Sequence, residues 1–160
     1  MKDLLILAAV AALASLPPFT FAEHRAGANY DTASLLAAGC KQDGATFECV
    51  TRNRPVAGHW AIVTYLIANR RLATLSIAGD REALPDVFAA VSTRYGTPCD
   101  QGTETLINGL GNSFQSATTT WCFNSGKMIL HDRGVTMSTY LASYTDDVNR
   151  LPSANPPVDF

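Results

Sequence analysis

The stretch WAIVTYLIANRRLATLSIAG, residues 60–79, decides the fold, because two β-rich runs flank the pair Asn69-Arg70. Two such runs joined by two turn residues predict a β-hairpin. A two-residue turn needs positive φ at both positions, which Asn69 tolerates and Arg70 tolerates poorly, so a longer loop remains open. With the short loop, the expected cross-strand pairs are Ala68 with Arg71, Ile67 with Leu72, Tyr65 with Thr74 and Ile62 with Ile77. One face then carries the expected core residues Trp60, Ile62, Leu66, Leu75 and Ile77.

An amphipathic helix is predicted directly after the hairpin. Apolar residues recur at three- and four-residue steps from Leu84 to Tyr95, which places them on one side of a helix. Pro85 suits the first turn, Gly96 can end the helix, and Pro98 prevents it from resuming.

The remaining segments complete an α+β pattern without a visible internal repeat. A short helix is expected at 32–38, and β-like runs occur at 45–52, 117–123, 127–132 and 135–144, with a weak one at 105–107. Strands, a helix and further strands joined by short turns predict an antiparallel sheet of five to six strands. One main amphipathic helix is expected to pack on one face of that sheet.

The first 22 residues have the layout of an export signal. Lys2 precedes an apolar run from Leu4 to Leu13, and the small residues Thr20 and Ala22 suit a peptidase site. We therefore expect cleavage after Ala22, a single domain at 23–145 and an exposed Pro-rich tail at 146–160. The apolar run is too short for a transmembrane anchor, which takes roughly 20 residues. The expected location is the periplasm or the extracellular space.

Four cysteines follow the predicted leader, at positions 40, 49, 99 and 122, and an even number in an oxidising compartment predicts disulfides. Three pairings are possible. The favoured one joins Cys40 to Cys49 and Cys99 to Cys122, because each pair closes a short loop. A lipidated Cys40 is the alternative, but charged residues interrupt the segment that would have to be apolar, and one other cysteine would lose its partner.

The net charge argues against two classes of partner, and the sequence motifs indicate neither catalysis nor metal binding. A net charge of −2 argues against a general binder of nucleic acid or of anionic membranes. The histidines His59 and His131 flank predicted strands, yet no nucleophile elbow and no metal-ligand spacing accompanies them. We expect no catalytic residue, no metal site and no cofactor, and a small hydrolase using His59 or His131 remains the alternative.

A basic hairpin is the one uneven charge feature. Between Cys49 and Gly79 there is no acidic residue, while the segment contains Arg52, Arg54, Arg70 and Arg71 together with His59. These residues and Trp60 are the candidate binding residues, because arginine and tryptophan dominate interface energetics. An acidic protein or polysaccharide is the expected ligand of such a surface. The alternative interpretation is that the charges are solvated and protect strand edges.

The order of motifs resembles a known group. Residues 67–72 (IANRRL), the helix end RYGTP at 94–98, the run WCF at 121–123 and GKMIL at 126–130 resemble small exported bacterial proteins of uncharacterised function. The helix and the Trp strand are also similar to modules of the BamE type and to β-lactamase-inhibitor-like domains. The resemblance implies a domain that binds other proteins and catalyses nothing. Two departures are Arg70, where the turn glycine is expected, and the missing lipid-anchoring cysteine.

Together these patterns predict a non-catalytic, disulfide-stabilised binding module of the bacterial envelope. It would act as an inhibitor, an immunity-type protein or an assembly accessory, through its sheet face or its hairpin. The expected partner is another envelope or extracellular protein, with no role for nucleic acid. A secreted effector or surface protein is a third hypothesis, which differs from the first only in location.

Overall fold

A computed structural model describes residues 16–107, 110–134 and 136–147. Its helices are α1 (Thr32–Ala37) and α2 (Leu84–Tyr95), the latter preceded by a 3-10 turn, Arg81–Ala83. Its strands are β1 (Thr20–Phe21), β2 (His24–Arg25), β3 (Lys41–Asp43), β4 (Thr46–Val56), β5 (His59–Ala68), β6 (Arg71–Asp80), β7 (Asp100–Ile107), β8 (Ser113–Cys122), β9 (Gly126–His131) and β10 (Thr139–Asp146). Residues 1–15 of the predicted leader and 148–160 of the predicted tail lie outside the described residues.

Within the described ranges the strands form one large antiparallel sheet and one small ribbon. The large sheet has eight strands in the order β3-β4-β5-β6-β10-β9-β8-β7, and β1 pairs with β2 separately. The α+β class and the antiparallel sheet are confirmed, but the predicted number of five to six strands is wrong. Strand β3 has no counterpart among the predicted runs, and β7 is longer than the weak run predicted at 105–107, because its Thr- and Gly-rich sequence lacks a clear apolar alternation.

The sheet consists of two matching halves. In each half a helix is followed by four antiparallel strands, and the last strands of the two halves, β6 and β10, pair at the centre. Each half also has a disulfide that joins the residue before its first strand to its second strand: Cys40 to Cys49, and Cys99 to Cys122. The favoured cysteine pairing is therefore confirmed.

The central hairpin turns as predicted but then changes register. Asn69 and Arg70 both have positive φ, 50° and 62°, so the two-residue turn and the pairs nearest to it are confirmed. A bulge between Leu66 and Ile67 then shifts the pairing by one residue. The predicted pairs Tyr65 with Thr74 and Ile62 with Ile77 are wrong, because Leu75 faces Tyr65 and Ile77 faces Val63.

The shift places the buried residues of β5 and β6 on the same side of the sheet. Ala61, Val63 and Ile67 are buried, whereas Trp60 is 70% and Ile62 is 42% exposed. The expected placement of Trp60, Ile62 and Leu66 in the core is therefore wrong, while Leu75 and Ile77 are buried as expected. Side chains alternate between the two faces of a strand, so the extra residue of β6 in the bulge allows Leu72, Leu75 and Ile77 to face the same side.

Helix α2 fixes the other side of the core. It begins at Leu84 and ends at Tyr95, as predicted, and it buries Val87 and Val91. The indole N–H of Trp121 donates to the carbonyl oxygen of Gly96 at 2.9 Å, which ties the end of the helix to β8. Both described helices contribute to a single core cluster. The opposite side of the eight-stranded sheet, which carries Val50, Trp60 and Ile62, is called the open face below.

Candidate binding site on the open sheet face

The open face presents large apolar side chains to solvent. Trp60 on β5 is 70% exposed, Ile62 two residues later is 42% exposed, and Val50 on β4 is 48% exposed. Their strand neighbours Ala61, Val63 and Cys49 are buried on the other side. Alternation along the strands therefore places a tryptophan and two aliphatic side chains together on one exposed surface.

The strand register extends this surface across most of the sheet. One row crosses six strands: Ile62, Ala78, Leu141, His131, Thr118 and Gly102. The next row crosses seven strands: Val50, Thr64, Ser76, Ser143, Ile129, Thr120 and Asp100. Neighbouring strands lie about 4.8 Å apart, so the longer row spans about 29 Å. That width is sufficient for a partner protein.

Most positions at the centre of the open face are uncharged. Its uncharged positions on β5, β6 and β10 include Trp60, Ile62, Thr64 and Leu66 of β5, Thr74, Ser76 and Ala78 of β6, and Leu141, Ser143 and Thr145 of β10. The hydroxyls of Ser76 and Ser143 lie 3.4 Å apart. Charged side chains lie around these positions: exposed Glu48 of β4 pairs with Leu66, and exposed Asp80 follows Ala78 on the same face of β6. On the β7–β9 side, His131 Nδ1 is 2.8 Å from Glu104 Oε1. The surface thus combines hydroxyl groups with aliphatic and aromatic contacts.

The predicted basic residues do not form one cluster. Arg70 and Arg71 lie at the β5–β6 turn, whereas Arg54 pairs with Ala61 near the other end of β5. Seven residues of strand separate Ala61 from Ala68, which corresponds to about 23 Å. Arg70 donates through Nε to the carbonyl oxygen of Tyr30 at 3.1 Å, which uses part of its donor capacity within the chain.

Arg54 is held by an acidic residue from outside the hairpin. Its guanidinium donates to both carboxylate oxygens of Glu23, at 3.0 and 2.8 Å. Hydrogen bonding to this guanidinium lowers the pKa of Glu23 to about 2. Arg52 is exposed and has no ion pair within the described part of the chain. Of the four arginines, Arg52 is therefore the one near Trp60 that can meet an external anion.

The two candidate histidines each face a carboxylate. His59 Nε2 is 2.8 Å from Asp86 Oδ2, which links β5 to the first turn of α2. His131 forms the corresponding pair with Glu104. Across the described ranges, no serine or threonine hydroxyl is hydrogen-bonded to either imidazole. An imidazole and a carboxylate form two thirds of a hydrolytic triad, so hydrolysis by His59 or His131 stays a prediction without an identified nucleophile.

A third histidine, His24, is part of the folded structure. It is 4% exposed, its Nδ1 lies 3.0 Å from the hydroxyl of Tyr30, and its ring lies 4.1 Å from that of Tyr65. Burial lowers the pKa of His24. The polar composition of residues 23–31 contains no signal for this packing.

The described residues also limit other classes of site. They contain no group of three His, Cys, Asp or Glu side chains that could hold a metal ion. None of the described helices has the length and apolar character needed to cross a bilayer. No protein-family model, curated protein or solved structure matches this chain. The function must therefore be argued from the geometry of the site itself.

Proposed function

We propose that this protein is a non-catalytic, disulfide-stabilised binding module that acts outside the cytoplasm and holds a partner protein on its open face. The observation that carries the proposal is the 70% exposure of Trp60 on the same sheet face as exposed Ile62 and Val50, where most central positions are uncharged. Interface cores are depleted of charge and enriched in aromatic residues, and tryptophan is among the commonest residues with a large energetic contribution.

The size of the Trp60 contribution supports this role. A tryptophan side chain buries up to about 250 Å² in an interface, and apolar burial contributes about 25 cal/mol per Å². With 70% of Trp60 still accessible, full burial would contribute at most about 4 kcal/mol. The flanking Ile62 and Val50 would exclude water from the contact, as the surroundings of such residues do in known interfaces.

The chemistry of the face indicates the kind of partner. Hydroxyl-bearing side chains in the row of Thr64, Ser76 and Ser143 can both donate and accept hydrogen bonds. A partner loop or strand with apolar side chains and an accessible backbone fits this pattern. Arg52, exposed on the neighbouring strand β4, would suit an acidic residue at the rim of the contact.

An inhibitor, an immunity-type protein and an assembly accessory would all use this face in the same way. The two disulfides suit an oxidising compartment such as the periplasm or the extracellular space. A secreted effector with the same surface would differ only in where it is found, so fractionation of the producing culture distinguishes the two.

Affinity capture from envelope extract tests the proposal. The tagged protein is compared with Trp60→Ala and Ile62→Asp, and with the matched control Ile107→Asp, which changes an exposed isoleucine at the end of β7. We expect a captured protein that the control retains and that both open-face variants lose. Equal capture by all variants would contradict a binding role for the open face.

A further inference from the structure

The segment from Pro17 to Arg25, here called the N-terminal strap, is built into the core of the domain. Phe19 is fully buried. Its ring stacks on Tyr144 with centroids 3.8 Å apart, and it meets Phe123 edge-on at 5.2 Å and Tyr95 at 5.9 Å. Tyr144 lies on the central strand β10, so the strap contacts the middle of the sheet rather than its margin.

Backbone hydrogen bonds hold the strap on both sides of Phe19. The carbonyl oxygen of Pro17 accepts from the N–H of Asn124 at 3.3 Å, and that of Phe19 accepts from Ala26 at 3.0 Å. The carbonyl oxygen of Thr20 accepts from the hydroxyl of Tyr95 at 2.6 Å. These bonds fix the main chain of the strap on both sides of the Phe19 ring.

The bond after Ala22 lies in the tight turn between the two paired strands of the strap. Ala22 has a φ of 49°, Phe21 pairs with His24, and Glu23 beyond the turn is held by Arg54. Phe21 and Ala22 also line a cavity of about 340 Å³ between α2 and the sheet. Cleavage at this bond would remove Phe19 and open both the core and this cavity.

We propose that the N-terminal strap remains in the mature protein and that export cleavage occurs before it, at the bond between Ala14 and Ser15. Ala12 and Ala14 supply the small residues that a signal peptidase requires, and the apolar run from Leu4 to Ala11 precedes them. Hydrolysis of this bond consumes one water, leaves a carboxylate on Ala14 and frees the α-amine of Ser15. The site differs from the one that the sequence alone favours, because the burial of Phe19 outweighs the fit of Thr20 and Ala22.

Mapping of the mature N-terminus tests the proposal on the full chain. The chain with a C-terminal tag is expressed in an exporting bacterial host, and the released protein is analysed by N-terminal sequencing and intact mass. We expect the mature protein to begin at Ser15. A mature protein that begins at Glu23, or a chain that is exported uncut, would overturn the proposal.

A matched pair of variants identifies the cleaved bond independently. Asparagine is larger than the residues that the peptidase accepts, and it tolerates the positive φ of Ala22. We expect Ala14→Asn to leave uncut precursor and Ala22→Asn to be processed normally; the opposite result would overturn the proposal.

As a check on the fold, a chain that begins at Glu23 should melt at a clearly lower temperature than one that begins at Ser15. Equal melting temperatures of the two chains would also overturn the proposal.

Discussion

Replacing Phe19 with alanine should lower the free energy of unfolding by about 4 kcal/mol. Removal of a buried phenylalanine ring costs about 3–5 kcal/mol, because apolar burial is lost and a cavity remains. Phe19 has no exposed surface and contacts three aromatic rings, each of which adds about 0.5–1.5 kcal/mol to simple burial. Its stacking partner Tyr144 belongs to the central strand, which limits how far the core can relax into the cavity.

This magnitude has a measurable thermal equivalent. For a domain between the 100- and 150-residue classes, 1 kcal/mol shifts the melting temperature by about 3–5 °C, so the variant should melt about 12–20 °C lower. Urea unfolding at constant pH with both disulfides intact measures the free energy directly, provided that the slope with urea is unchanged.

Phe114→Ala is the matched control for this experiment. Phe114 is half-buried on β8, and its ring lies 5.5 Å from the guanidinium of Arg133, so we expect a loss of about 1 kcal/mol. A Phe19→Ala loss no larger than that of the control would refute the assignment of Phe19 to the core. It would also remove the structural reason for placing export cleavage before the strap.

Two further predictions concern charge and covalent cross-links. The lowered pKa of His24 means that its contribution to stability is complete above about pH 6.5 and declines as the pH falls below that value; the lowered pKa of Glu23 adds a second decline from about pH 4.5 toward pH 2. The urea midpoint should therefore decrease as the pH is lowered, and Glu23→Gln should reduce the part of this decrease that occurs below about pH 4.5. A midpoint that rises on acidification would contradict the lowered pKa values of both residues. Replacing both Cys99 and Cys122 with alanine should cost about 3.4 kcal/mol through the freed loop, measured by the same unfolding assay, and an unchanged stability would show that this disulfide constrains little.

The parts of the fold that were predicted correctly are those specified by residues close together in the chain. The helix from Leu84 to Tyr95 was predictable because Pro85, Gly96 and Pro98 mark its ends. The turn at Asn69 and the disulfide pairing followed from short-range spacing in the same way. In each case the signal and the structure that it specifies lie within a few residues or one short loop.

The elements that sequence reasoning missed depend on contacts between distant segments. Both faces of β5 are apolar, with Trp60 and Ile62 on one and Val63 and Ile67 on the other, so alternation cannot show which face meets the helices. The extra residue of β6 opposite Leu66 and Ile67 has no clear signal in the sequence, yet it allows Leu72 and Leu75 to face the same buried side. Trp60 was a candidate contact residue, but its exposure and its open-face neighbours could be found only from the register across the sheet.

The N-terminal strap was missed for a different reason, which is its resemblance to an export signal. An apolar export signal and an apolar core segment have similar compositions, so Phe19 looks like part of a leader when the sequence is considered alone. Its partners Tyr95, Phe123 and Tyr144 are far away in the chain. A pattern confined to the N-terminus contains no information about them.

The central claim, that the open face binds a partner protein, is tested most directly by site-specific photo-crosslinking in the producing cells. A photoreactive residue replaces Thr64 in the middle of the open face, and the control places it at exposed Thr93 on α2. We expect a discrete crosslinked adduct from position 64 and none from position 93. Trp60→Ala should weaken binding of that partner by about 30-fold, the equivalent of about 2 kcal/mol. No adduct at position 64, or the same adduct at both positions, would contradict the claim.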